Sequence, residues 1–136
     1  MRAVLVDTGP VVALLDGSDP DHQRCVRALQ AFRDPLVTVW PVVTEAMYLL
    51  GRISWGAQDA LWEMLDTQLR LLPLVEVDMT RMRALMKKYR DRPMDLADAA
   101  LVAVAERHQI KQVFTLDQTD FSLYRPARIG RFSVIP

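Results

Sequence analysis

Short apolar runs separated by predicted helices constrain the fold of this chain more strongly than any other feature. Residues 2–6 read RAVLV, residues 36–40 read LVTVW and residues 111–117 read KQVFTLD. The hydrophobic residues in these runs are continuous rather than alternating, which is typical of strands that are buried on both faces of a parallel sheet. The pattern therefore predicts an α/β fold in which helices cover both faces of a mainly parallel sheet.

Two further runs extend the predicted sheet to four or five strands. Residues 71–77 read LLPLVEV, and Pro73 lacks the amide donor that a central strand needs, so this strand is predicted at an edge. Residues 132–136 read FSVIP and indicate a short last strand. The chain has 136 residues and contains neither a repeat nor a linker, so we expect a single domain over residues 1–136.

The helices between these strands have recognisable starts. Asp19 and Pro20 are predicted to be the N-cap and first residue of one helix. Trp62 is expected on the inward face of a later amphipathic helix, and Asp78 and Asp95 are each expected to cap a helix. The segment after Asp95, LADAALVAVAERHQ, is apolar on all sides for most of its length, which indicates a buried helix.

Charge and composition exclude several classes of protein. The 17 basic side chains balance 17 acidic ones, so the chain is not a polycation that binds nucleic acid by bulk attraction. A hydrophobic fraction of 51% excludes a disordered chain. The longest uncharged stretch, residues 35–44, is too short to span a membrane, and the N-terminus has no signal-peptide pattern. The single cysteine, Cys25, is predicted to be a buried thiol and cannot form an intramolecular disulfide. Since a signal-peptide pattern and a membrane span are also missing, we expect a cytoplasmic protein without membrane contact.

Four acids stand in positions where a carboxylate needs an explanation. Asp7 and Asp117 each end a predicted strand. Glu45 lies in the otherwise uncharged segment VVTEAMYLL, and Asp98 is the only polar residue from Leu96 to Ala105. Individually, Asp7 and Asp98 can be helix-capping residues, Asp117 a turn residue and Glu45 a surface glutamate. Taken together, they occupy the positions that meet at one crevice in a doubly wound sheet.

A cluster of these carboxylates predicts a metal site. Carboxylates a few Å apart raise each other's pKa, and a divalent cation removes that repulsion. Oxygen ligands without His or Cys suit Mg²⁺ or Mn²⁺ rather than zinc. Such sites activate water and stabilise an in-line phosphoryl displacement, with hydroxyls such as those of Thr8 and Thr115 able to orient water or phosphate.

Four blocks of sequence also carry a family resemblance: VLVDTGPVVALLD, VVTEAMYLLGR, MDLADAALVAVAE and FTLDQTDFSLYRP. In this order and spacing the chain resembles a PIN domain and, more narrowly, the VapC-like toxin nucleases of VapBC-type toxin–antitoxin systems. The resemblance runs along the whole chain and implies a three-layer α/β/α fold. It implies a Mg²⁺- or Mn²⁺-dependent ribonuclease that cleaves tRNA-like or rRNA-like RNA and so inhibits translation.

The resemblance also implies roles for individual residues and partners. The residues that it implies are catalytic and metal-binding are Asp7, Glu45, Asp98 and Asp117, with Asp7 and Asp98 as the principal ligands. Those expected to support the site are Thr8, Thr115, Asp95 and Asp120. Implied partners are RNA, a small VapB-like antitoxin and a second copy of the chain in a homodimer, with a heterotetramer or larger assembly when the antitoxin is bound.

A basic segment supplies candidates for RNA contact. Residues 81–92 contain six basic side chains and one acid. This segment is either a solvated helix face or part of a phosphate-binding rim, to which Arg125, Arg128 and Arg131 add further charge. The residues that we predict to contact RNA are Arg52, Lys87, Lys88 and Arg125.

Three other interpretations remain open. A PIN-like scaffold could bind RNA or protein without cleaving it. A strand-terminal Asp could accept a phosphoryl group, as in receiver domains or haloacid-dehalogenase-type phosphatases, although Gly9 occupies the position where the latter have a second Asp. The DTG triplet starting at Asp7 matches the aspartic-protease signature, but that fold is all-β.

Overall fold

The computed structural model describes residues 1–136 and contains one sheet of five strands in the order β3-β2-β1-β4-β5. The strands are β1 Val4–Val6, β2 Leu36–Thr38, β3 Leu69–Leu71, β4 Gln112–Phe114 and β5 Ser133–Ile135. All four neighbouring pairs are parallel. The predicted α/β fold is confirmed, and the sheet is parallel throughout.

Seven helices cover the sheet. They are α1 Thr8–Leu15, α2 His22–Ala31, α3 Trp40–Gly51, α4 Trp55–Thr67, α5 Glu76–Lys88, α6 Leu96–His108 and α7 Gln118–Leu123. Helices α1 to α4 contact one another, and α5 packs on α6. Because parallel crossovers are right-handed, the first four helices lie on one face of the sheet and the last three on the other.

The strand order reverses direction beside β1. From β1 the chain builds outward through β2 to β3, and it then returns to the other side of β1 to form β4. A crevice opens at such a reversal, at the carboxyl ends of the two central strands. Asp7 directly follows β1 and Thr115 directly follows β4, so both residues lie at that crevice.

Helix α6 is the buried helix that the sequence predicts. Every residue from Ala97 to Glu106 is buried. Burial of a charged side chain is costly unless the charge is paired. Glu106 meets this requirement, since it accepts hydrogen bonds from the Arg81 guanidinium at 2.6 and 2.8 Å and from the Ala127 amide at 2.8 Å. The other buried acid of the helix, Asp98, faces the crevice.

Two predicted helix starts are wrong. Helix α2 begins at His22 rather than Pro20, because the Asp19 carboxylate accepts the Asp21 amide at 2.8 Å and forms a separate turn. Helix α5 begins at Glu76, and Asp78 lies inside its first turn, where its carboxylate reaches back to the Val75 amide at 2.9 Å. The predicted cap at Asp95 is correct, since its carboxylate accepts the Asp98 amide at 2.8 Å.

Other differences concern the edges of the molecule. Strand β3 lies at the predicted edge, but the predicted bounds 71–77 are wrong. The strand spans Leu69–Leu71 and ends before Pro73, and α5 begins at Glu76. Trp62 is 46% exposed rather than inward-facing. Helix α7 has six residues and is not predicted by the sequence pattern. The longest helices have 13 residues, and none combines the length and hydrophobicity required to cross a bilayer.

Candidate metal centre

A pocket of about 570 Å³ opens at the carboxyl ends of β1 and β4. Its acidic lining residues are Asp7, Asp19, Glu45, Asp95, Asp98 and Asp117. No Lys, Arg or His is among its lining residues. The structure therefore brings the four predicted catalytic acids to one pocket, together with Asp95, which is predicted to support the site. Asp19 also lines the pocket and is not predicted there.

Asp7 is held rigidly at the end of β1. Its Oδ1 accepts the Thr8 amide at 2.8 Å, and its Oδ2 accepts the Thr115 hydroxyl at 2.8 Å. The side chain is only 8% exposed. Asp7 is also the N-cap of α1, so the capping interpretation and the pocket position are both correct.

Glu45 reaches the same pocket from α3. The Thr8 hydroxyl donates to its Oε2 at 3.2 Å, so Thr8 contacts Asp7 through its amide and Glu45 through its hydroxyl. Glu45 is exposed, unlike Asp7. Its long side chain therefore forms part of the open wall of the pocket.

Asp98 projects from the first turn of α6 and is 7% exposed. The hydroxyl of Tyr124 donates to its Oδ2 at 2.8 Å. Asp95, the N-cap of the same helix, lies beside it at the mouth of the pocket. Asp98 is therefore anchored by a tyrosine from a distant segment of the chain.

Asp117 and Asp120 complete the acidic wall after β4. The Asp117 amide donates to the Thr115 hydroxyl at 2.9 Å, and the Asp117 carboxylate accepts the Asp120 amide at 3.3 Å as the N-cap of α7. Carboxylate oxygens of Asp98, Asp117 and Asp120 lie within 4.8 Å of one another. Asp120 is also paired with Arg92 at 3.1 Å, so it is the one member of this trio with a cationic partner.

The pKa values of these acids reflect burial without a compensating positive charge. Burial raises the pKa of Asp7 to about 6, with Asp95 and Glu45 adding repulsion and the hydrogen bonds from Thr115 and Thr8 opposing it. Burial, then the charges of Asp7 and Asp95, raises the pKa of Asp98 far above its usual range. Asp117 is exposed, but partial desolvation of its carboxyl, followed by the Asp120 carboxyl, raises its pKa.

The residues of the pocket fit a hard divalent cation. Its lining contains two buried carboxylates, Asp7 and Asp98, and no basic side chain. Three exposed carboxylates also line it, those of Glu45, Asp95 and Asp117. Mg²⁺ and Mn²⁺ bind through carboxylate and water oxygens, so the donor set matches these ions. A cation would also remove the repulsion that raises the acid pKa values.

The predicted RNA-binding residues lie outside this pocket. Arg52, Lys87 and Lys88 are exposed, at the ends of α3 and α5. The Arg125 guanidinium donates to the carbonyls of Ser122 and Tyr124 at 2.7 and 3.0 Å. These residues are available at the surface but do not touch the acids.

The basic segment 81–92 does not form one free surface. Arg81 is bound to Glu106, and Arg92 is bound to Asp120. The exposed cations of this segment that make no ion pair remain candidates for a phosphate rim: Arg83, Lys87, Lys88 and Arg90. Arg128 and Arg131 are exposed as well.

Sequence reasoning misses two residues of the pocket region. The sequence indicates Asp19 only as a helix cap, but this acid lines the pocket from the loop between α1 and α2. Tyr124 has no local pattern that marks it, because its contact with Asp98 spans 26 residues.

The whole chain is similar to known proteins. Residues 4–126 match the PIN domain family. The chain is 33% identical over 135 residues to Ribonuclease VapC26 of Mycobacterium tuberculosis, with 98% of this chain and 100% of that protein covered. This relative matches the chain along almost its whole length.

Solved structures share the fold at lower identity. Mycobacterium tuberculosis VapC20, described as a Sarcin-Ricin loop cleaving toxin, superposes with a TM-score of 0.77 at 21% identity over 85% of this chain and 91% of that one. A toxin–antitoxin complex from Klebsiella pneumoniae gives 0.72 at 20% identity, covering 98% and 96%. VapBC2 from Rickettsia felis, bound to a DNA fragment from its promoter, gives 0.71 at 12% identity, covering 98% and 99%.

Proposed function

The chain belongs to the PIN-domain family and to its VapC-type members, and from this premise we propose that it is a metal-dependent endoribonuclease that acts as the toxin of a toxin–antitoxin pair. The observation that carries the proposal is the acidic pocket. Asp7 and Asp98 are buried there, Glu45 and Asp117 line it as well, and no basic side chain does. This arrangement suits hydrolysis of a phosphodiester with a bound cation.

The metal-binding residues of the proposed enzyme are the four acids, with Asp7 and Asp98 as the principal ligands. A bound Mg²⁺ or Mn²⁺ supplies Lewis-acid activation of water and neutralises the negative charge of the phosphodiester in the transition state. Thr115 and the Thr8 amide orient the two oxygens of Asp7, which prevents the carboxylate from rotating. Glu45 is oriented by the Thr8 hydroxyl and is exposed, so it is suited to take a proton from the attacking water.

The proposed substrate is a structured cellular RNA of the tRNA or rRNA type. Its phosphates would meet exposed cations at the carboxyl end of α5, Lys87 and Lys88, with Arg52 and Arg125 as further contacts. Cleavage of such an RNA would inhibit translation. The acidic pocket itself repels RNA, so metal binding and the basic residues must together supply the attraction.

The proposed protein partners are a small VapB-like antitoxin and a second copy of the chain. Two exposed apolar grooves support protein partners, since large apolar patches on a surface usually mark interfaces. One groove lies between α1, α2 and α4, and the other is lined in part by Trp40, Tyr48 and Leu96. A basic side chain of the antitoxin would be attracted into the acidic pocket and would compete with the metal there.

An RNA cleavage assay tests the proposed activity. Single-stranded RNA is incubated with the protein in EDTA, Mg²⁺ or Mn²⁺, and with Asp7→Asn and Asp98→Asn. Cleavage is expected only with metal and is expected to be lost in both variants. Asp59→Asn, which removes an exposed acid of α4, is the matched control and should remain active. Metal-independent cleavage or full activity of both site variants would contradict the proposal, and RNA binding without cleavage would favour the scaffold alternative.

Expression in bacteria tests the toxin role separately. Growth arrest is expected with the wild-type chain but not with Asp7→Asn. Co-expression of a small gene adjacent to the toxin gene should restore growth, and the two proteins should co-elute. Light scattering of each sample measures whether the chain is a dimer and whether the complex is a heterotetramer or larger.

A further inference from the structure

Tyr124 provides a buried hydroxyl at the acidic pocket. The residue follows α7 directly and its side chain is fully buried, at 0% exposure. Its hydroxyl donates to Oδ2 of Asp98 at 2.8 Å. No protein group donates to Oδ1 of Asp98, so the Tyr124 hydroxyl is the one group that orients this carboxylate through a hydrogen bond.

The ring that carries this hydroxyl is fixed by aromatic packing. Tyr124 packs edge-on against Phe121, with ring centroids 5.2 Å apart, and against Tyr89 at 5.0 Å. Its amide donates to the Asp120 carbonyl at 3.0 Å. A phenol that is held by its backbone and by two neighbouring rings keeps its hydroxyl in one position.

Helix α7 connects this hydroxyl to a second acid of the pocket. The helix has six residues, is capped by Asp117 at its start and is followed by Tyr124 at its end. One short helix therefore sets the position of the Asp117 carboxylate and of the group that anchors Asp98. The carboxylate oxygens of Asp98 and Asp117 lie within 4.8 Å of each other. Helix α7 therefore helps to position both acids.

We propose that Tyr124 is a positioning residue that fixes the orientation of the Asp98 carboxylate for a divalent cation, with Oδ1 as the oxygen that has no hydrogen-bond donor. This inference rests on the metal site of the proposed function. The hydroxyl restrains rotation of the Asp98 carboxylate, as the Thr115 hydroxyl restrains that of Asp7. Hydrogen bonds to ligating carboxylates of this kind typically change metal affinity about 10- to 100-fold.

Tyr124→Phe tests the inference, because it removes the hydroxyl and retains the packed ring. The dissociation constant for Mn²⁺ is measured from the electron paramagnetic resonance signal of free Mn²⁺, together with the melting temperature of the metal-free protein. We expect Mn²⁺ to bind about 10-fold more weakly than to the wild-type chain. Tyr89→Phe is the matched control: its hydroxyl accepts the Arg125 amide at 2.9 Å and touches no carboxylate. This control should lower the melting temperature without changing Mn²⁺ affinity.

If Tyr124→Phe does not fold, a second variant tests the same inference. Phe121→Leu keeps the hydroxyl but removes one ring that fixes it, and a smaller loss of Mn²⁺ affinity is expected. Unchanged or tighter Mn²⁺ binding in the folded variants would overturn the inference, as would an equal loss in Tyr89→Phe. If the wild-type chain shows no saturable Mn²⁺ binding, the proposed metal-dependent function is itself contradicted, which separates the two failures.

Discussion

The hydroxyl of Thr115 donates to Oδ2 of Asp7 at 2.8 Å, joining residues that are 108 positions apart in the chain. Asp7 follows β1 and Thr115 follows β4, and these two strands are direct neighbours in the sheet. The pairing of the two strands therefore sets the orientation of the most rigidly held acid of the pocket. An acid oriented by the sheet itself is preorganised before any ion or substrate arrives.

Thr115→Val is predicted to weaken metal binding. Valine keeps the shape of threonine, and the Asp7 Oδ2 atom loses its donor, so we expect Mn²⁺ affinity and RNA cleavage to fall about 10- to 100-fold. The unpaired buried oxygen also costs about 1–3 kcal/mol of stability. Calorimetric Mn²⁺ titration and chemical denaturation measure the two effects.

A second buried threonine provides the control for this prediction. Thr38 donates to the Val6 carbonyl at 2.7 Å at the same edge of the sheet but touches no acid. Thr38→Val should lose a similar amount of stability with unchanged Mn²⁺ affinity. Equal losses of affinity in the two variants would show that the Thr115 effect is a general one.

Stabilisation by metal is predicted to increase with pH. The pKa of Asp7 is raised to about 6 from an unfolded value of 3.8, and that of Asp98 is raised as well. An acid with a raised folded-state pKa stabilises the fold fully below its unfolded pKa and loses that contribution as the pH rises through its folded pKa. The metal-free protein should therefore lose the stability that these two groups contribute as the pH rises from about 4 to about 8. A bound cation favours the ionised form of both carboxyls, so it should offset this loss.

Thermal melts with EDTA and with saturating Mn²⁺ measure this effect. The increase in melting temperature on adding Mn²⁺ should be larger at about pH 8 than at about pH 5. In Asp98→Asn the increase should be smaller and should depend less on pH. A larger increase at the lower pH would contradict the assignment of these acids as ligands.

The ion pair between Arg81 and Glu106 is predicted to stabilise the fold without affecting the proposed reaction. Burial alone would raise the pKa of Glu106, but the hydrogen bonds from Arg81 and from the Ala127 amide outweigh it and lower the pKa. A lowered folded-state pKa contributes stability above the unfolded pKa of 4.5, and that contribution is lost as the pH falls through the folded value. Glu106→Gln should cost about 1–3 kcal/mol near neutral pH and less in acid.

Denaturation curves at several pH values check this cost. Asp21→Asn, in the exposed pair of Asp21 with Arg24, is the matched control and should cost no more than about 0.5 kcal/mol. Mn²⁺ affinity should stay the same in both variants, because neither acid lines the pocket. A loss of Mn²⁺ affinity in Glu106→Gln would mean that the pair also supports the metal site.

The sequence predicts the acids of the pocket better than the contacts that hold them. Asp98 can be identified because it is the single polar residue in an apolar helix, and Asp7 because it interrupts an apolar run at a strand end. The hydroxyl of Tyr124 cannot be identified from the sequence, because its contact with Asp98 joins residues 26 positions apart and depends on tertiary packing. Asp19 escapes prediction for a similar reason, since a loop acid that also forms a turn looks the same whether or not it faces a pocket.

Segment boundaries are hard to predict where two patterns compete. Residues 71–77 are apolar enough to be predicted as a strand, but the paired residues are Leu69–Leu71, and the pairing ends before Pro73. Aspartate is a common N-cap residue, but Asp78 lies inside the first turn of α5, and its carboxylate accepts the Val75 amide from there. The residues at which these helices and strands begin and end depend on tertiary packing, which cannot be predicted from local propensity.

Removal of the exposed cations at the end of α5 is predicted to weaken RNA binding and its salt dependence. Lys87→Ala with Lys88→Ala should reduce affinity for single-stranded RNA, and the slope of log affinity against log salt should fall by about 0.7 for each phosphate that is no longer neutralised. Arg2→Ala with Lys111→Ala removes the same charge at the amino ends of β1 and β4, whereas the pocket lies at their carboxyl ends. This pair should leave the slope nearly unchanged. Fluorescence anisotropy with an Asp7→Asn background, which prevents cleavage, measures both pairs. An unchanged slope for the Lys87 and Lys88 pair would identify this surface as a solvated helix face.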